Sequence, residues 1–168
     1  MALDTAGDTL SIGPPQIGDV GRIITLHATY YGRQWGVGPG FEARVAERLA
    51  RLVDRAETGQ AAIWCAHQGD RCIGSIAVDH VADSTALLNF FILHDAAMGK
   101  GLGKRLITIA IDHCRQHHMR QVRSFTFRGL DVARALYERH GFRLVDEGPD
   151  TLWGLPALEQ TFETRLYG

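Results

Sequence analysis

The sequence predicts a mixed α/β domain, a central mixed sheet with helices on both faces. Three observations carry that expectation. Segments with apolar residues at helical spacing alternate with short runs rich in branched and aromatic residues. One apolar run, 87–93, leads through a small-residue stretch to Gly101 and Gly103, which open an amphipathic segment: a strand, a glycine turn and a helix start. A chain of 168 residues with 45% hydrophobic content holds one core and is too short for two large ones. The whole of 1–168 is therefore read as a single domain.

Residues 1–13 are polar with isolated Leu10 and Ile12, and Pro14 and Pro15 follow, so 1–17 is expected to be a loose arm with at most a short edge strand. Val20, Ile23, Ile24, Leu26, His27, Tyr30 and Tyr31 recur at helical spacing and predict a helix over 19–31, with Asp19 as a candidate cap. Segment 32–40, GRQWGVGPG, holds four glycines and a proline around Trp35 and reads as a mobile loop with one aromatic anchor. Phe41, Val45, Leu49, Leu52 and Val53 share one face of a helix over 41–56. Strands at 61–67 and 71–80 form a hairpin through Gln68, Gly69 and Asp70. A strand over 86–94 precedes a helix from Gly101 to about 118, with Leu102, Leu106, Ile109 and Ala110 inward. A strand at 122–127, a helix at 131–140 stopped by Gly141, and strands at 142–146 and 158–167 complete the order.

Composition narrows the function classes. A formal net charge of −1 and a pI of about 6.7 give no global field for nucleic acid or an anionic membrane, so neither is an expected partner. Cys65, Cys72 and Cys114 are odd in number and lack CxxC spacing, as free thiols of a reducing compartment would. No stretch approaches the ~18 apolar residues of a membrane span, and the N-terminus has no basic start followed by an apolar block; a cytoplasmic protein is expected.

Glycines before a helix start let an anion approach its unpaired N–H groups, so phosphate binding is the first hypothesis. A P-loop needs glycine at 98 and Ser or Thr at 105, where Met98 and Arg105 stand. The dinucleotide fingerprint places its third glycine at Lys104 or Leu106 and fails too. Basic residues at a helix start oppose its dipole, so Lys104 and Arg105 there ask for an anionic partner.

Met98-Gly99-Lys100-Gly101-Leu102-Gly103 resembles the Q/R-x-x-G-x-G/A signature of the GNAT acetyltransferases, with Met98 where that family usually has Arg or Gln. The resemblance implies that the amides from Gly99 to Lys104 hold the pyrophosphate of acetyl-coenzyme A, aided by Lys100, Lys104 and Arg105. It implies that the backbone of Phe91, Ile92 and Leu93 pairs with the pantetheine arm beside a splayed neighbouring strand. It also points to Tyr137, in ARALYERHGF, as proton donor to the leaving thiolate. The asparagine that often precedes this segment is absent; Arg128 stands near its place as a candidate phosphate contact. The order of elements matches the GNAT fold over nearly the whole chain. GDVGRIITLHATYYGRQWG, the later Tyr137 segment and GLPALEQTFETRL further resemble the acetyltransferase domain that often follows a MarR-type winged helix.

The expected activity is direct acetyl transfer to an amine of a small molecule or peptide. No cysteine falls at the site to form an acetyl-enzyme. A non-catalytic acyl-coenzyme A sensor is the alternative, and a homodimer is kept open as the assembly. Asp79, His80 and His94 are candidate bases for the amine. Tyr30, Tyr31, Trp35 and Phe41 are candidates to line its pocket. His113 and His117 share a helix face, but no HExxH pattern or third ligand accompanies them, so no metal is expected.

Overall fold

The structure, a computed structural model, describes residues 9–167. Residues 1–8 of the expected arm lie outside the described residues. Among those described, one sheet runs from edge to edge as β1 (Leu10–Gly13), β2 (Ala61–Gln68), β3 (Arg71–Ala82), β4 (Thr85–Leu93), β5 (Gln121–Phe127), β7 (Leu158–Arg165) and β6 (Arg143–Pro149). Only the β4–β5 pair is parallel, so the sheet is mixed, as expected. Four helices cover it: α1 (Asp19–Trp35), α2 (Pro39–Glu57), α3 (Leu102–Gln116) and α4 (Asp131–Arg139).

Each face has its own core. On one, α3 and α4 bury Leu106, Ile107 and Tyr137 against Ile76, Val78, Leu88, Val122 and Phe162. On the other, α1 and α2 close Ile23, Leu49 and Leu52 over Ile63, Cys65 and Ala77. A third cluster gathers Phe41, Val45, Phe127 and Leu155, with Tyr31, Trp35 and Trp153 packed around it. The three cysteines are free and buried.

Three local expectations change. Asp19 does not cap α1; Gly18 takes that place at φ 93°, while the buried Asp19 carboxylate accepts from Gln16 N–H and His67 Nε2, both at 2.7 Å. The 32–40 loop is mostly helix. α1 continues to Trp35, whose ring packs 5.3 Å from Tyr31 and 5.7 Å from Phe127, and this tertiary contact outweighs the weak helix propensity of Gly32. Only Gly36–Gly38 connect the two helices, because Pro39 fits the first turn of α2, where no N–H is needed. In α3 the fully inward isoleucines are Ile107 and Ile111, while Ile109 is only half-buried.

Candidate active site

Pairing of β4 with β5 ends at Leu88 and Ser124, although β4 runs on to Leu93 and β5 to Phe127. Strands that part leave backbone groups facing a gap, and those groups call for a partner. β4 also bulges there. Asn89 pairs with Ala77 and Ile92 with Ser75, so Phe90 and Phe91 stand opposite Ile76 alone. Phe90 has φ 49°, a left-handed value that a non-glycine residue keeps only when its surroundings enforce it. Here the enforcing group is the buried Ser75, whose Oγ–H donates to Phe90 C=O at 2.6 Å. Gly74 permits the close approach, since a Cβ there would meet Leu93 Cδ2 at 2.5 Å. With Phe90 C=O turned toward Ser75, the trans peptide aims Phe91 N–H away from it.

A cavity of about 520 Å³ opens at this gap. Phe91, Ile92 and Leu93 line one side, and Met98, Gly99, Gly101, Leu102, Gly103 and Lys104 another. Of the residues expected to hold the cofactor, Lys100, Arg105 and Arg128 lie outside this lining. Gly99 and Gly101 adopt φ 76° and 75°, which favours glycine. At Gly103 a Cβ would lie 3.3 Å from Leu136 Cδ2 and 3.4 Å from Leu93 Cδ1, so the missing side chain is part of the cavity's space. Gly101 caps α3 without a side-chain bond, leaving the first amides, Leu102, Gly103 and Lys104, without partners in the helix. No acidic residue stands in that first turn, and among the described residues Lys100, Lys104, Arg105 and Arg139 enter no ion pair. Such an end, continuous with an apolar trough along a strand, fits a phosphate-bearing molecule with a long arm. Sequence reasoning missed the opposite wall, Leu130, Ala133, Leu136 and Arg139; the period of α4 held its signal.

A second cavity, about 340 Å³, adjoins the first, the two sharing Tyr31, Phe91, Leu130 and Ala133. It holds Tyr137, His27, Glu159 and Arg48 among aromatic walls. Tyr137 is 3% exposed, its ring 6.1 Å from Phe91 and 5.8 Å from Phe162. Burial pushes its hydroxyl up to about 12, with the nearby Ser124 hydroxyl acting in the opposite direction. Ser124 Oγ itself is buried and closes no hydrogen bond of good geometry. His27 Nδ1 lies 2.8 Å from Ile23 C=O. A carbonyl only accepts, so Nδ1 carries the proton and Nε2 is bare. Burial lowers this imidazole to about 4, against the Ile23 bond.

The predicted bases lie elsewhere. Asp79 is held by Arg55 at 2.7 Å, and His80 Nε2 sits 3.2 Å from His113 Nε2. Both pair with the start of β4, opposite Leu87 and Ala86, at the end of the sheet away from the gap. His94 Nδ1 accepts from Ala96 N–H and caps the short 3-10 turn Asp95–Ala97. Arg128 forms a two-pronged ion pair with Glu147 and is not a free phosphate contact. Tyr31 and Phe41 line the second cavity and Tyr30 the first, while Trp35 supports Tyr31 from behind. Among the described residues no group of three or more His, Cys, Asp or Glu side chains is placed to hold a metal ion, and no helix is long and apolar enough to cross a membrane.

Comparison with known proteins bears on this geometry. Residues 22–142 match the model of the acetyltransferase (GNAT) family. No curated protein matches the chain. Among solved structures, an acetyltransferase from Streptococcus agalactiae is similar at TM-score 0.75 and 16% identity, with 94% of this chain and 98% of that one covered. The PaiA N-acetyltransferase of Thermoplasma acidophilum, in complex with coenzyme A, gives 0.73 at 18% identity, covering 94% and 99%. A ribosomal-protein-alanine N-acetyltransferase from Brucella melitensis gives 0.72 at 14%, covering 93% and 99%. At these identities the likeness is one of fold.

Proposed function

We propose, from the premise that this chain belongs to the acetyltransferase (GNAT) family, that it is an acetyl-coenzyme A-dependent N-acetyltransferase acting by direct transfer to an amine. The observation that carries the reading is the meeting of two cavities at the β4 bulge, one suited to the cofactor and one open to an acceptor. Bound acetyl-coenzyme A supplies an activated acyl carbon and a thiolate leaving group. The amides of Leu102, Gly103 and Lys104 hold its pyrophosphate, with Lys104 and Arg139 adding charge at the rim. The backbone of Phe91, Ile92 and Leu93 binds the arm, and Phe91 N–H, aimed away from Ser75, stabilises the oxyanion.

Tyr137 donates a hydrogen bond to the departing sulfur. A hydroxyl near 12 facing a thiol near 8.5 makes complete proton transfer uphill by about 5 kcal/mol. Its part is therefore the hydrogen bond held while the C–S bond breaks. The acceptor class includes small amines and peptides; the Brucella melitensis structure is, by its name, that of a ribosomal-protein-alanine N-acetyltransferase. The finer kinship, with the domain that follows a MarR-type winged helix, rests on the sequence segments that suggest it and is part of this proposal.

Thiol release from acetyl-coenzyme A over a panel of amines tests the reading, with Tyr137→Phe beside the natural chain. Amine-dependent release is expected, and the variant should lose kcat by about 10-fold to 100-fold with cofactor Kd within about twofold. Cofactor binding with no release from any amine would favour the acyl-coenzyme A sensor instead.

A further inference from the structure

The second cavity is built around aromatic side chains. Tyr31 stacks on Phe41 at 5.1 Å and meets Phe127 edge-on at 6.1 Å, while Trp153 lies 5.8 Å from Phe41. The loop bearing Trp153 is fixed by Asp150, whose carboxylate accepts from the N–H groups of Leu152, Trp153 and Leu155. Phe125, on the same wall, is 43% exposed, a large apolar surface left open toward the cavity. Beside these rings stands one carboxylate. Glu159 pairs with Phe127 across β5 and β7, is half-buried, and forms no ion pair or hydrogen bond with the described residues. The nearby cations are occupied or at the rim: Arg128 is taken by Glu147, and Arg48 lies 5.2 Å over the Trp153 ring. An unpaired carboxylate among aromatic rings suits an ammonium group.

Resting on the acetyl-transfer reading, we propose that this cavity is the acceptor subsite for a primary amine carried on an aryl or similarly bulky apolar group, and that Glu159 receives its ammonium and then its proton. The ammonium gives one N–H proton to the Glu159 carboxylate. The freed lone pair forms the C–N bond to the acetyl carbon, and the electron pair of the C–S bond leaves with sulfur. The second proton lost by nitrogen passes to water, the thiolate held by the Tyr137 hydrogen bond takes its proton from water, and Glu159 returns its proton to water. Burial, then the Asp150 and Asp146 carboxylates, hold the Glu159 carboxyl above the usual range, which makes it a better proton acceptor than an ordinary glutamate.

The test compares phenethylamine and tryptamine with ethylamine and spermidine as acceptors, by thiol release, in the natural chain, Glu159→Gln and Glu159→Asp across a pH series. The arylethylamines should exceed ethylamine by at least about 10-fold in kcat/KM. Glu159→Gln should lose about 100-fold and the acidic limb of the profile, Glu159→Asp should recover part of both, and acetyl-coenzyme A Kd and the thermal midpoint should stay unchanged in each. Equal or better turnover of ethylamine or spermidine, or an unaltered profile in Glu159→Gln, overturns this inference and leaves acetyl transfer standing. Bound acetyl-coenzyme A with no release from any amine overturns both.

Discussion

His27 sits 7% exposed in the wall of the second cavity, its Nδ1–H bonded to Ile23 C=O and its ring 5.4 Å from Phe90. Burial takes the imidazole from 6.5 to about 4. A folded-state pKa below the unfolded one means that the unfolded chain binds the proton more readily between those values. The stabilising contribution is thus complete above pH 6.5 and is lost as pH falls toward about 4, by roughly 3 kcal/mol for this group. His113, lowered by burial and by neighbouring His117 and His80, acts in the same direction and more weakly because it is half-buried. Urea unfolding midpoints measured from neutral to mildly acid pH should fall, and His27→Asn, which can still donate to Ile23, should flatten that slope. An identical slope in the variant would remove His27 as its source. Nothing local in the sequence marks this residue apart from the apolar positions beside it on α1. Glu159 reads just as plainly as a strand residue; its place beside Phe127 comes from β5–β7 pairing alone.

On the proposed function, cofactor affinity depends on the turn between β4 and α3, with contacts expected to come from backbone. Gly103→Val would place branched carbons where a Cβ already meets Leu136 at 3.3 Å and Leu93 at 3.4 Å, filling the cavity beside the first amides of α3. Met98 is 42% exposed, and its side chain forms no polar contact. Calorimetric titration should give a Kd at least about tenfold weaker for Gly103→Val, and within about twofold of the natural chain for Met98→Ala. Comparable losses in both would mean that the position 98 side chain matters as it does where the family has Arg or Gln. This turn was legible because glycine spacing and the helix period are local signals. So were α2, whose buried Phe41, Val45, Leu49 and Leu52 recur at helical spacing, and the two-residue turn at Gly69 and Asp70. The bulge was not. Phe90 and Phe91 are two more apolar residues in an apolar run, and the left-handed Phe90 arises from Ser75 and Gly74 on the neighbouring strand. The extension of α1 to Trp35 was hidden likewise, because glycine-rich sequence argues for a loop and only Tyr31 and Phe127 supply the reason for a helix.

Across the whole molecule, β4 and β5 are joined by only four register pairs, Thr85 with Gln121 through Leu88 with Ser124. Beyond them the first four strands with α1 and α2, and the last three with α4, separate around the two cavities. A ligand lying in the gap touches both parts: β4 and the α3 turn on one side, Leu130 to Arg139 on the other. Opening of this weakly paired seam and loss of such a ligand are therefore linked, and saturation should raise the stability of the entire sheet. At about 100 times Kd, acetyl-coenzyme A adds ~2.7 kcal/mol. For a domain of 168 residues that corresponds to a rise of roughly 5–11 °C in the unfolding midpoint. ATP and NAD carry pyrophosphate but no long arm to lie along Phe91, Ile92 and Leu93, so at equal concentration they should leave the midpoint nearly where it was. Equal shifts from ATP would mean that the glycine turn binds without help from β4, and the parting of the strands would then need another cause.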